Sequence, residues 1–147
     1  MANNHLVILK KPYLKMILDG RKRVELRLSK TRQPGFGRVL PGDKLFLKIS
    51  SGPICAMATA ADVKNFENLT PETIFELKRR YNHDIGGSDE HWQSKIDCRF
   101  CFLVWLKDVR TIEPVHIDKK DWRAWVVLTE KENFGLLNHP AAEKPDE

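Results

Sequence analysis

Between Pro12 and Leu28 the chain changes its period, and this change limits the folds open to it more than any other feature. Tyr13, Met16 and Ile17 fall at i, i+3 and i+4, the spacing of one helix face, and Pro12 suits the first helical position. Gly20 then supplies the left-handed residue that ends a short helix. From Lys22 to Leu28 the alternation is strict: Val24, Leu26 and Leu28 point one way, and Arg23, Glu25 and Arg27 point the other. A short helix that passes through one glycine into a half-polar strand predicts an α+β domain, with the charged row facing solvent or a site.

The other apolar runs are short as well. Leu6–Leu9, Lys44–Ile49, Ile54–Val63, Phe100–Leu106, Val109–Ile117 and Trp125–Leu128 read as strands, a total of about five to seven. Thr70 and Pro71 start a second helix whose buried stripe is Ile74, Leu77 and Tyr81, ending near Asn82. Residues 29–43 carry Pro34, Gly35, Gly37, Pro41 and Gly42 and predict a long exposed basic loop. Residues 82–95 predict a mobile loop in which Asp89–Gln93 makes at most one helical turn. Sequential strands with short helices at one side predict a meander that curls into a small, mostly antiparallel β-barrel.

At 147 residues, 41% hydrophobic and 31% charged, the chain is one domain that buries a core without metal or disulfide staples. Residues 1–137 form that domain, and residues 138–147, with two prolines and an acidic balance, are expected to be a disordered tail. No run approaches the roughly 20 apolar residues of a membrane span, and the N-terminal residues lack a signal-peptide core, so a cytoplasmic protein is expected. Cys55, Cys98 and Cys101 are too few and odd in number for a disulfide framework. The net charge of +5 hides a split: residues 1–40 carry +8 and the remainder −3. Such clustering suits phosphate-bearing partners, or else makes a solvated face.

Gly20, Lys22, Glu25 and Arg27 fit the pattern G-x-K-x-x-E-x-R directly after the short helix, and Pro41-Gly42-Asp43 turns the chain into its next strand. In these features the chain resembles the ASCH family, the activating signal cointegrator homology domains of the PUA-like superfamily, from Leu6 to about Leu128. The resemblance implies a PUA-like barrel with a cleft between barrel and helix that takes RNA, another single-stranded nucleic acid or a nucleobase-like small molecule. In the N4-acetylcytidine amidohydrolase branch a lysine stands where Lys22 does and a threonine where this chain has Glu25. That branch's nucleophilic hydroxyl is therefore missing here, and a carboxylate does not replace it. Asp62 and Glu67 are loose candidates for the branch's third, acidic position.

By alternation Glu25 and Arg27 share a strand face, so the carboxylate orients the guanidinium and Arg27 is free to grip a phosphate. Lys22 joins them only if the strand twists or bulges at its start. The site residues expected from the motif and its flanks are Gly20, Arg21, Lys22, Glu25, Arg27, Arg32 and Ser51, with Ser50 beside it and Trp122 as a stacking ring. Trp105 and Trp125 are further stacking candidates. Cys98-Arg99-Phe100-Cys101 has C-x-x-C spacing, but without a second pair it reads as buried thiols, so neither metal nor cofactor is expected. Three readings follow. The first is a nucleic-acid binding module for single-stranded RNA or a modified or flipped base. The second is a nucleotide hydrolase, amidohydrolase-like or a ribonuclease, using Lys22 and Glu25. The third is a protein-interaction domain whose basic half meets an acidic partner.

Overall fold

The computed structural model describes residues 3–117 and 124–128. The tail at 138–147 and Trp122 lie outside the described residues. The chain order is β1 (Asn4–Leu9), α1 (Lys11–Leu18), β2 (Val24–Ser29), β3 (Lys44–Ile49), β4 (Ile54–Phe66), α2 (Pro71–Ile85), α3 (Asp89–Ser94), β5 (Phe100–Val115) and β6 (Trp125–Val127). Among the described residues no helix is long and apolar enough to cross a membrane.

The strands form one six-stranded sheet in the order β2-β5-β4-β3-β1-β6, curled into a half-barrel as the α+β reading expects. The expected meander holds for β3, β4 and β5, which pair in sequence and antiparallel, but not for the other strands. β1 pairs with β3 in parallel, and β2 skips its sequence neighbour to pair with β5. The parallel pair is possible because α1 and β2 intervene between β1 and β3, making a crossover connection. The two runs from Phe100 to Ile117 are one strand, β5, with Asp108 at φ 52° absorbing an irregularity.

Curling comes from the longest pair. β4 and β5 lose register at Ile54/Ala56, Met57/Thr59 and Ala60/Asp62, and each bulge adds local bend and twist. Ala56, Ala58 and Ala60 line the inner face there, where small side chains let the curved strand close on Leu45, Leu47, Phe102 and Val104. α1 packs Leu14 and Ile17 into this interior, with Tyr13 half-buried. Leu14 thus replaces Met16 in the expected stripe. The apolar row of β2, Val24, Leu26 and Leu28, faces a second core formed with Leu69, Ile74, Leu77, Ile85 and Trp92.

Two segments expected to be loose are anchored. α2 continues past Asn82 because Ile85 extends its buried stripe, and Asn82 then accepts from Gly87 N (2.8 Å) and Trp92 Nε1 (2.9 Å). Burial of Trp92 fixes α3 against the second core. The basic loop after β2 keeps Lys30, Arg32 and Arg38 exposed, as expected, but is pinned to the sheet at a few points. Val39 is buried, Phe36 meets Phe100 edge-on at 5.5 Å, and a Cβ at Gly35 would come within 2.7 Å of Phe102 Cζ.

The loop's far end is tied down by Asp43, which is buried. Its Oδ1 accepts from Asn3 N (3.0 Å), and its Oδ2 accepts from Leu40 N (2.9 Å) and meets His5 Nε2 (2.8 Å). Trp125 Nε1 donates to His5 Nδ1 at 3.0 Å. An indole nitrogen only donates, so Nδ1 is the acceptor and the imidazole proton sits on Nε2, aimed at Asp43. Removing the carboxylate orphans several buried donors. Asp43→Ala is expected to lower stability by about 3 kcal/mol or more, read as a fall in the urea midpoint at unchanged m.

Candidate functional site

Lys22 precedes β2, so strand alternation does not constrain it. Arg21 N and Lys22 N both donate to Met16 O at 3.0 Å, closing the turn that Gly20 allows at φ 82°. Arg23 N then donates to Asp84 O at 2.7 Å, which sets the strand against the end of α2. These bonds turn the Lys22 side chain inward, where Nζ donates to Ile85 O at 2.8 Å. A cation there also complements the carboxyl end of the α2 dipole.

Lys22, Glu25 and Arg27 therefore converge. Lys22 Nζ also lies 3.4 Å from Glu25 Oε1 as an ion pair, since an ammonium has donors beyond the one it gives Ile85 O. Arg27 Nε donates to Glu25 Oε2 at 2.8 Å, and the same guanidinium donates to Ile8 O (2.9 Å) and Ala124 O (3.4 Å). Its Cζ sits 5.4 Å from the Trp125 ring centroid. The guanidinium, expected to grip a phosphate, is here hydrogen-bonded to internal partners while still lining the cleft.

Glu25 is only 6% exposed, and its Oε1 has no hydrogen-bond donor among the described residues. Burial, the largest single influence, pushes its pKa up. The charges of Arg27 and Lys22, with the Arg27 hydrogen bond, outweigh it and hold the carboxyl below the usual glutamate range.

These groups form one wall of a cleft of about 680 Å3 between the sheet and the helices. Tyr13 from α1 and His91 from α3 face it, their rings edge-to-face at 6.1 Å, and Lys22 Nζ lies 5.4 Å from the Tyr13 centroid. Lys10, Lys30, Lys95 and Ser50 line the remainder of the wall together with Cys98. Burial first, then the charges of Lys95, Lys22 and Lys10, hold His91 below the usual histidine range, while Glu25 opposes them. Burial raises the Cys98 thiol and carries Cys101 up to about 12, so neither is a thiolate nucleophile. Among the described residues no three of His, Cys, Asp or Glu gather in a way that holds a metal ion.

The other expected site residues stand apart from the cleft wall. Gly20 shapes the turn, and Arg21 is exposed and paired with Asp19 at 2.9 Å. Arg32 pairs with Glu67 at 2.7 Å and lies over Phe36 and Phe100. Ser51 occupies an exposed turn at φ 63°, leaving Ser50 as the cleft residue of that pair. Asp62 accepts from the adjacent Val63 N and does not line the cleft. Trp125 is buried in the core, and Trp105 meets Tyr81 edge-on at 5.7 Å rather than facing the cleft. Tyr13 is the aromatic ring that sequence reading passed over. Its signal was its place on the helix that leads into the motif, whereas His91 had none.

A curled, mostly antiparallel half-barrel, with short helices enclosing a Lys-Glu-Arg cleft, defines a PUA-like domain. The ASCH domain model matches residues 7–134, and the chain belongs to that family. The chain is similar in fold to the crystal structure of ASCH from Zymomonas mobilis, with 16% identity, TM-score 0.68, and coverage of 92% of this chain and 93% of that one. Two single-substitution variants of the Zymomonas mobilis protein are similar at 15% identity: a tyrosine-to-phenylalanine form (TM-score 0.68; 92% and 96% covered) and a serine-to-alanine form (TM-score 0.66; 92% and 94% covered). No curated protein sequence matches the chain.

The Glu25 shift has a signed consequence for stability. A carboxylate held below its unfolded value near 4.5 stabilises the fold fully above that pH and loses its contribution as pH falls through the lower, folded value. Urea unfolding from pH 7 down to pH 3 should therefore show a loss of stability below about pH 4.5 that is smaller in Glu25→Gln.

Proposed function

We propose that the cleft binds single-stranded RNA by receiving one unstacked base, plain or modified, rather than hydrolysing it. The observation that carries this reading is the buried Glu25 carboxylate on the cleft wall, whose Oε1 has the Lys22 ammonium at 3.4 Å but no well-aligned hydrogen-bond donor among the described residues. Such an oxygen is costly unless something supplies a donor, and the amino or imino groups of a nucleobase do so. Lys22 offers the complementary donor beside it, at 3.4 Å from the same oxygen. Tyr13 provides an aromatic face of the kind on which an unpaired base stacks.

Binding is preferred to hydrolysis because the cleft lacks an activated nucleophile. Glu25 stands where the related amidohydrolases carry a hydroxyl. The serines that line the cleft are Ser29, which donates to Thr31 O, Ser94, which donates to His91 O at 2.7 Å, and Ser50. Among the described residues none of the three is hydrogen-bonded to a base that would take its proton.

Fluorescence titration with a short single-stranded RNA tests the reading. Tyr13→Leu is expected to weaken binding by about 1–3 kcal/mol, the usual worth of one base stacked on an aromatic ring. Unchanged affinity in Tyr13→Leu and Glu25→Gln, with both variants folded, would overturn it.

A further inference from the structure

The cleft lining has a buried part and a less buried part. In the buried part Glu25 lies between Lys22 and Arg27, its Oε1 3.4 Å from Lys22 Nζ, while Arg27 also donates to Ile8 O and Ala124 O. The less buried lining is Lys10 from the β1–α1 junction, Lys95 from the end of α3, Lys30 after β2 and His91 on α3. Among the described residues none of Lys10, Lys30 or Lys95 makes an ion pair, whereas Lys15, Arg21, Arg32, Lys78 and Arg79 on the surface all do. Lys10 and Lys95 come from separate segments, and both charges act on His91 in the same cleft.

We propose that Lys10, Lys95 and His91 form a phosphate subsite in the less buried part of the cleft, so that the ligand is a nucleotide whose phosphate lies there while its base lies against Tyr13 and Glu25. This rests on the reading of the buried part as a base site. A phosphate gains from the unpaired ammonium groups, and an imidazolium in the same cleft adds a third charge-assisted donor. The groups that face His91 are Tyr13 on α1, Lys10 before it, Lys22 and Glu25 around the start of β2, and Lys95 on its own element. In the free protein three of these disfavour a second charge and one favours it. An anion reverses the balance, so binding takes up a proton on His91, and affinity rises as pH falls from 8 toward 6.

The test uses the full chain and an RNA tetramer, its counterpart with uncharged methylphosphonate linkages, cytidine and cytidine 5'-monophosphate, at constant low salt. The charged tetramer is expected to bind about tenfold or more tighter than its uncharged counterpart. Lys10→Ala and Lys95→Ala should each remove much of that difference and leave the uncharged tetramer unaffected. Lys107→Ala, an exposed lysine away from the cleft, should change it less than about twofold, since it alters only net charge. In His91→Gln the rise in affinity at low pH should disappear; the diester has no proton to lose in that range, so the rise reports the imidazole. A gain for cytidine 5'-monophosphate over cytidine assigns the subsite to a terminal phosphate, and a gain confined to the tetramer assigns it to a chain phosphate. Equal binding of both tetramers, with Tyr13→Leu still weakening both, overturns the subsite and leaves the base cleft standing. A Lys107→Ala loss as large as that of Lys10→Ala overturns it too. Binding of neither tetramer overturns both readings.

Discussion

The guanidinium of Arg27 bridges the two edges of the open sheet. β2 is one end of the strand order and β6 the other, with β1 beside it. From β2, Arg27 donates to Ile8 O on β1 and to Ala124 O at the entrance to β6, and Ala124 O also accepts from Ile8 N at 2.9 Å. Among the described residues no backbone ladder joins β2 to β1, so a planar group with five donors links these strands where pairing would in a closed barrel. Glu25 makes this possible at low dielectric: a buried guanidinium without a carboxylate would carry a heavy desolvation penalty. The pair links architecture and site, because the carboxylate that holds Arg27 also lies on the cleft wall.

A second polar chain supports the first. Asp43, His5 and Trp125 form a buried relay that runs from the end of the basic loop through β1 to β6. Each member has a fixed role, since the indole only donates and the carboxylate only accepts, and the imidazole must do one of each. The relay orients the Trp125 ring so that Arg27 lies over it and Phe102 meets it edge-on at 5.0 Å. Gly35 belongs to the same arrangement, because only a residue without Cβ lets the loop backbone pass that close to Phe102 and Trp125.

The cleft is what remains when the sheet curls but does not close. Bulges on β4 against β5 bend it, alanines allow the bend, and α1 and α3 occupy the gap from two sides. Its polarity follows from which groups the fold has already used. Lys22 and Arg27 are paired with carbonyls and with the Glu25 carboxylate, while Lys10, Lys30 and Lys95 make no ion pair among the described residues.

Much of this was legible in the chain itself. The period change across Gly20, the capping of α2 by Thr70, the boundaries of β3 and the four spaced residues of the motif are local signals, each set by backbone geometry within a few residues. The strand order, with β1 parallel to β3 and β2 against β5, was not, because pairing partners are chosen by the global curl and not by neighbours in sequence. Arg27 illustrates the division. Its presence on the same strand face as Glu25 is a matter of alternation, but that it bridges the edges of the sheet depends on carbonyls from Ile8 and Ala124, 19 and 97 residues away. In the same way Tyr13 was visible only as a helix residue and His91 only as a scattered histidine. Sequence determined the local elements and the charged motif, since those are short-range steric and periodic properties. Tertiary structure alone decided which charges are consumed by the fold and which face the cleft, since burial and hydrogen-bond satisfaction are long-range.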